Sequence, residues 1–145
     1  HLKSLPDFDD VEAEDAAKAH AAQFADLHRA LRFFLAWPDL HGAAGLVVAR
    51  HSGLDGNAYT LLAPAAEALR ARHPLAATLL WRAMIAFTLH DGRSSRYGHA
   101  ADYMLECAAA EDEVTDWHGT APHSAYFEAL REAHRHKASF WARLP

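Results

Sequence analysis

Apolar positions recur at helical spacing along this chain and are densest between His73 and Cys107. From Leu75 to Leu89, Leu80, Met84 and Phe87 form one stripe and Trp81, Ile85 and Leu89 a second, leaving a narrow polar strip that contains Thr78 and Arg82. A helix with two apolar faces is normally buried between neighbours. From Tyr97 to Ala110, one face carries Tyr97, Ala100, Ala101, Met104, Leu105 and Ala108, and His99, Asp102 and Glu106 lie opposite. That pattern predicts an amphipathic helix with one wet side. Between the two, Asp91-Gly92-Arg93-Ser94-Ser95 offers a glycine to end the first helix and a serine to cap the second. The stretch reads as a helical hairpin.

The remaining segments extend this pattern. Residues 1–9, with Pro6 and several acids, read as a flexible acidic lead-in. Asp9 or Asp10 is placed to cap a weakly striped helix to about Ala22, and Phe24, Leu27, Leu31, Phe34 and Leu35 mark a stronger one over Gln23 to Trp37. Pro38 ends it and, with Asp39, opens a helix through Leu40, Ala43, Ala44, Val47, Val48 and His51 to Ser52-Gly53. Asp55 is the expected cap of the next helix, through Tyr59, Leu62, Ala66 and Leu69, with a kink or restart at Pro64. After the hairpin come the acidic stretch Glu111-Asp112-Glu113 and a turn at Trp117-His118-Gly119-Thr120. Pro122 then opens a helix through Tyr126, Phe127, Leu130 and Ala133, and Phe140, Trp141 and Leu144 end the chain.

The expected fold is all-α. Antiparallel helical hairpins, about six or seven helices in one domain over residues 10–145, form either a short tetratricopeptide-like α-α superhelix or a compact bundle. Residues 38–72 and 73–110 are each a helix pair of near-solenoid length, and Tyr97, Ala100, Met104 and Cys107 reproduce the aromatic, small, large, small spacing of the second tetratricopeptide helix.

Composition sharpens this reading. With 51% hydrophobic residues in 145, one core of useful size can be buried. Abundant alanine and sparse β-branched residues favour helices over strands. The net charge of -5 resides in residues 1–26, where seven acids face only Lys3 and Lys18, while the rest balances twelve acids against twelve bases. A neutral body argues against nucleic-acid binding by this domain alone. A single cysteine, Cys107, excludes an internal disulfide and a multi-cysteine zinc site, and its register places it among buried hydrophobes. No run is long enough to span a bilayer and no signal peptide is evident, so a cytoplasmic location is expected.

HPLAATLLWRAMIAFTL, then RSSRYGHAADYMLEC, and finally His134, His136, Lys137, Phe140 and Trp141 together resemble a bacterial domain of unknown function. In related proteins that domain follows a SWIM-type zinc finger. The resemblance covers roughly residues 30–142 and implies an α-helical, repeat-like domain without an established activity. The zinc-finger cysteines are absent here, so neither zinc nor the nucleic-acid role suggested for such fingers carries over.

Candidate chemistry centres on Arg93-Ser94-Ser95-Arg96. A helix amino terminus presents unpaired N–H groups, and two arginines with hydroxyls would complete an anion pocket. The expected ligand-binding set is Arg93, Ser95, Arg96 and His99, joined by Arg82 and Lys137 if the last helix packs nearby. The ligand would be a phosphate, a carboxylate or an acidic peptide, and residues 7–15 of the same chain or of a second copy are one candidate. His99, Asp102 and Glu106, at i, i+3 and i+7, offer a metal-dependent enzyme as one alternative, without a second helix supplying partner ligands, and an accessory domain of a longer nucleic-acid-associated protein is the other, which the neutral body weakens. Twelve histidines are scattered, and no nucleophile, phosphate-loop or dinucleotide motif occurs. The reading is therefore a non-enzymatic interaction module with no cofactor, a protein or peptide partner and room for a homo-oligomer.

Overall fold

The computed structural model describes residues 27–145. Among these residues there are seven α-helices and no strand: α1 (Leu27–Ala36), α2 (Leu40–Arg50), α3 (Tyr59–Leu69), α4 (Pro74–His90), α5 (Tyr97–Ala110), α6 (His123–His134) and α7 (Ala138–Trp141). Single 3-10 turns lie at His51–Gly53, Ser94–Arg96 and Glu111–Glu113. The all-α expectation holds, in its bundle form. The expected lead-in over residues 1–9 and the helix ending near Ala22 lie outside the described residues.

Helix boundaries follow local chemistry, with four corrections. Asp39, not Pro38, begins α2: its Oδ1 accepts from the Gly42 N–H at 2.9 Å, and Pro38 stands one residue before this cap. Asp55 shapes the turn ahead of α3 instead of capping it, its Oδ1 accepting from the Asn57 N–H at 2.9 Å and its carbonyl from the Ala58 N–H. α3 runs through Pro64 without a restart. The ring removes a bond to the carbonyl of Thr60, an exposed residue at the helix start, where water can replace it. No serine side chain caps α5, which is entered through the 3-10 turn with Arg96 as its flanking residue.

The end of α4 is as the sequence predicts. Gly92 takes φ +66°, the Arg93 N–H bonds the Thr88 carbonyl at 3.1 Å and the Gly92 N–H bonds that of Leu89 at 3.3 Å. This paired closure satisfies two orphaned carbonyls and favours a residue without a Cβ.

α4 is the centre of the bundle, packed chiefly against α5 and α3 and also against α2. Leu80, Met84, Ile85 and Leu89 are fully buried along it. The polar strip is buried too: Thr78 is 0% and Arg82 8% exposed, whereas Ala86 and His90 face solvent. The segment after α5 turns back across Arg82 and covers what the helical pattern alone would leave wet. α5 contributes Tyr97, Ala100, Ala101, Met104, Cys107 and Ala110. Leu105 and Ala108, expected on the same face, are exposed, because close packing on α4 uses only the narrow stripe marked by the tetratricopeptide-like spacing. At the end of the chain, Phe140 is fully buried with its ring 5.8 Å from that of Tyr97. Arg70 and Glu113 form a two-bonded pair at 2.5 and 3.0 Å that ties the end of α3 to the turn after α5.

Gly56 is buried where the loop before α3 presses on α4; an added Cβ would stand 2.6 Å from the Phe87 Cβ and overlap the Ala83 carbonyl oxygen. Gly45, on the exposed side of α2, has open space. Gly56→Ala is therefore expected to lower stability by about 1–3 kcal/mol through overpacking. Gly45→Ala should raise it by roughly 0.5–1 kcal/mol through helix propensity. Urea unfolding of the two variants against the parent chain checks both signs.

Candidate functional site

Two arginine environments emerge, one exposed and one buried. The exposed one surrounds the turn between α4 and α5. α7 docks beside the start of α5 through Phe140, and this brings the chain's last cations to the turn. The Lys137 Nζ lies 3.9 Å from where a Gly92 Cβ would stand, and the Arg143 Nη1 3.5 Å from the corresponding point at Gly98. Ser95 and His99 line two adjoining clefts. One, about 510 Å³, is completed by Gly98, Ala101, Asp102 and Arg143. The other, about 230 Å³, is completed by Tyr59, Arg96 and Tyr103.

The two arginines of the motif are held differently. The Arg93 Nε donates to the Asp91 Oδ2 at 2.7 Å, so much of its charge is answered locally. Arg96 lies over the Tyr59 ring, 4.1 Å from its centroid, and donates to the Asn57 Oδ1 at 3.3 Å. A guanidinium fixed by an aromatic face and a neutral amide keeps its charge and spare N–H groups for an outside anion. Burial and then the neighbouring charges of Lys137, His136 and His90 lower the pKa of His134, a sign of how much positive charge gathers at this end.

Arg93, Ser95, Arg96, His99 and Lys137 thus share one end of the molecule. Arg82 does not join them. Arg143 completes the set and was not singled out from the sequence; it is distant in sequence from the turn, and nothing near residue 143 marks it. His99 and Asp102 border one cleft, while Glu106 is exposed outside it and its charge acts on Arg70. Among the described residues no three His, Cys, Asp or Glu side chains converge to hold a metal ion.

Arg82 faces the other way. Its guanidinium carbon sits 4.2 Å from the Tyr126 ring centroid and 5.4 Å from that of Trp117. Its Nε and Nη2 are buried without a hydrogen-bond partner, as are the Tyr126 hydroxyl, the Thr78 Oγ1 and the His123 Nδ1. Burial lowers the Arg82 pKa, and burial raises that of Tyr126. The neighbouring Cys107 thiol, fully buried, is pushed up to about 12 by desolvation, which makes it an unreactive packing group. Arg82 borders a cleft of about 440 Å³ between α4 and the Trp117–Thr120 turn. That turn is fixed by His118 and Gly119 at φ 49° and 78° and by the Thr120 Oγ1 donating to the Trp117 carbonyl at 2.5 Å. A larger groove of about 700 Å³, lined by Ala44, Val48 and Leu75, borders none of these buried unpartnered atoms.

His123 gives a pH signature. Burial, opposed by Glu111 and reinforced by Arg82, lowers its pKa, so the folded chain binds fewer protons than the unfolded one below about pH 6.5. Stability contributed by the neutral ring is present above that pH and is lost as the pH falls. The melting temperature is expected to drop between pH 7.5 and about 5.5, and His123→Gln to remove part of that drop in a calorimetric pH series.

No curated protein and no solved structure matches the chain. A family of unknown function matches it over residues 1–143, and the chain belongs to that family, DUF6880.

Proposed function

We propose that the chain is a non-enzymatic helical interaction module, working in the cytoplasm, that docks an acidic segment of a partner protein on the end formed by the α4–α5 turn and α7. The observation that carries this reading is the gathering of Arg96, His99 and Arg143 around Ser95, with Lys137 beside Gly92 of the same turn and Asp91 occupied by Arg93. Two shallow clefts side by side suit successive carboxylates of an extended peptide better than a single small molecule. Arg96 is preoriented on Tyr59, which limits the entropy lost when an anion binds. The tight α4–α5 hairpin, with its tetratricopeptide-like spacing, supports a scaffold that presents this end rigidly.

A fluorescein-labelled hexaglutamate peptide serves as the probe. In anisotropy titrations it is expected to bind at low salt and to weaken by about tenfold or more between ~50 and ~300 mM NaCl, as exposed charges are screened. Arg96→Glu with Arg143→Glu should abolish binding, and Arg72→Glu, on the opposite groove, should leave it unchanged. Equal affinity in the double variant would refute the reading.

A further inference from the structure

We propose that the Arg82 cleft is a second binding site, specific for a monocarboxylate carried on a small apolar body. The first ground is the unanswered donor edge. Nε and Nη2 form one side of the guanidinium fork, the side that a carboxylate accepts with two parallel hydrogen bonds. In Arg82 these two atoms are the ones buried without a partner. The Tyr126 hydroxyl is buried and unpartnered beside them, its ring under the guanidinium at 4.2 Å. Leaving such donors unmade costs free energy that one incoming acceptor recovers.

The second ground is selectivity. The walls from α4 are Leu79, Ala83 and Ala86, with Ala121 also apolar, while His51, His118 and Thr120 add polar groups to the lining. The apolar walls suit a hydrocarbon body. Arg82 supplies one positive charge in a desolvated setting, which balances one negative charge and not two. A phosphate dianion would bring a second charge, for which the cleft holds no second lysine or arginine, its other nitrogen-bearing side chains being those of His51 and His118. The cleft volume, about 440 Å³, falls in the range of small-ligand sites. Arg82 lines the cleft with the little surface it exposes, and because Nε and Nη2 are themselves buried, binding requires its side chain to turn that edge toward the entering carboxylate. The carboxylate comes either from a free organic acid or from the last residue of a peptide, since both present the same group on an apolar side.

The test uses the full chain and five probes: 3-phenylpropionate, its neutral amide, inorganic phosphate, and the tripeptide Gly-Gly-Phe in free-ended and amidated forms. Expected are saturable calorimetric binding of 3-phenylpropionate or the free-ended tripeptide, no binding of the amides or phosphate, and a shift of the Arg82 Nε–H resonance on titration. The tighter of the two carboxylates identifies the source. Arg82→Met keeps the apolar volume and should abolish binding. Tyr126→Phe should weaken it by about tenfold, the value of one hydrogen bond to a charged group. If Arg82→Met fails to fold, the Tyr126→Phe affinity and the wild-type Nε–H shift carry the test. Equal binding of acid and amide, phosphate binding as tightly as either carboxylate, wild-type affinity in Tyr126→Phe with an unmoved Nε–H signal, or no binding by either carboxylate would overturn the proposal.

Discussion

Helix α4 has almost no side that can be left in water, and the other described elements are arranged around that constraint. Seventeen residues from Pro74 to His90 bury Leu80, Met84, Ile85 and Leu89 completely. Each such side chain contributes roughly 1.5–3 kcal/mol of transfer free energy, but only while neighbours stay in contact. α3 supplies one cover from the preceding chain, α5 another from the chain that follows, and α2 a third. That leaves the strip with Thr78 and Arg82. A guanidinium is poorly covered by aliphatic groups, which offer it nothing in return for lost water. Trp117 and Tyr126 cover it with aromatic faces, which attract a cation without needing acceptors.

This explains which features were legible in the sequence. The helices from Pro74 to Ala110 were visible because their spacing and the Gly92 stop are local signals. The restart expected at Pro64 does not occur, because the one hydrogen bond its ring removes is to the carbonyl of Thr60, an exposed residue at the helix start. The serines misled because capping competes with a 3-10 entry that the same residues also permit. The burial of Arg82 was not legible. A polar strip reads as solvated unless something distant in sequence returns to cover it, and neither Trp117 nor Tyr126 carries a local mark of that contact. Of the candidate residues, Arg93, Ser95, Arg96, His99 and Lys137 meet at one end because the turn joins most of them and Phe140 docks the rest. Arg143 arrives by the same docking, which no pattern near it announces.

The two arginine sites differ through desolvation more than through geometry. Arg96 and Arg82 both lie about 4 Å from a tyrosine ring centroid. Arg96 does so at the surface, where water and salt moderate every charge interaction. It suits reversible contacts with a flexible acidic chain, whose strength changes with ionic conditions. Arg82 does so at 8% exposure, where a single correctly placed acceptor counts for more and a misplaced one costs more. The same residue type is therefore held once at the surface and once in a desolvated setting.

Arg82 is also a poor choice if its only task is to fill space. A buried charge without a carboxylate partner is costly, and an apolar side chain of similar length would pack between Trp117 and Tyr126 without that penalty. Cation–π contact returns part of the cost but does nothing for Nε and Nη2, which meet no acceptor among the described residues. The Tyr126 hydroxyl repeats the problem one residue away, since a phenylalanine ring would cover the guanidinium equally well. Three donors without acceptors, in two residues that line a cleft with largely apolar walls, define a shape as much by hydrogen bonding as by packing. The chemical complement of that shape is an oxygen pair on a hydrocarbon.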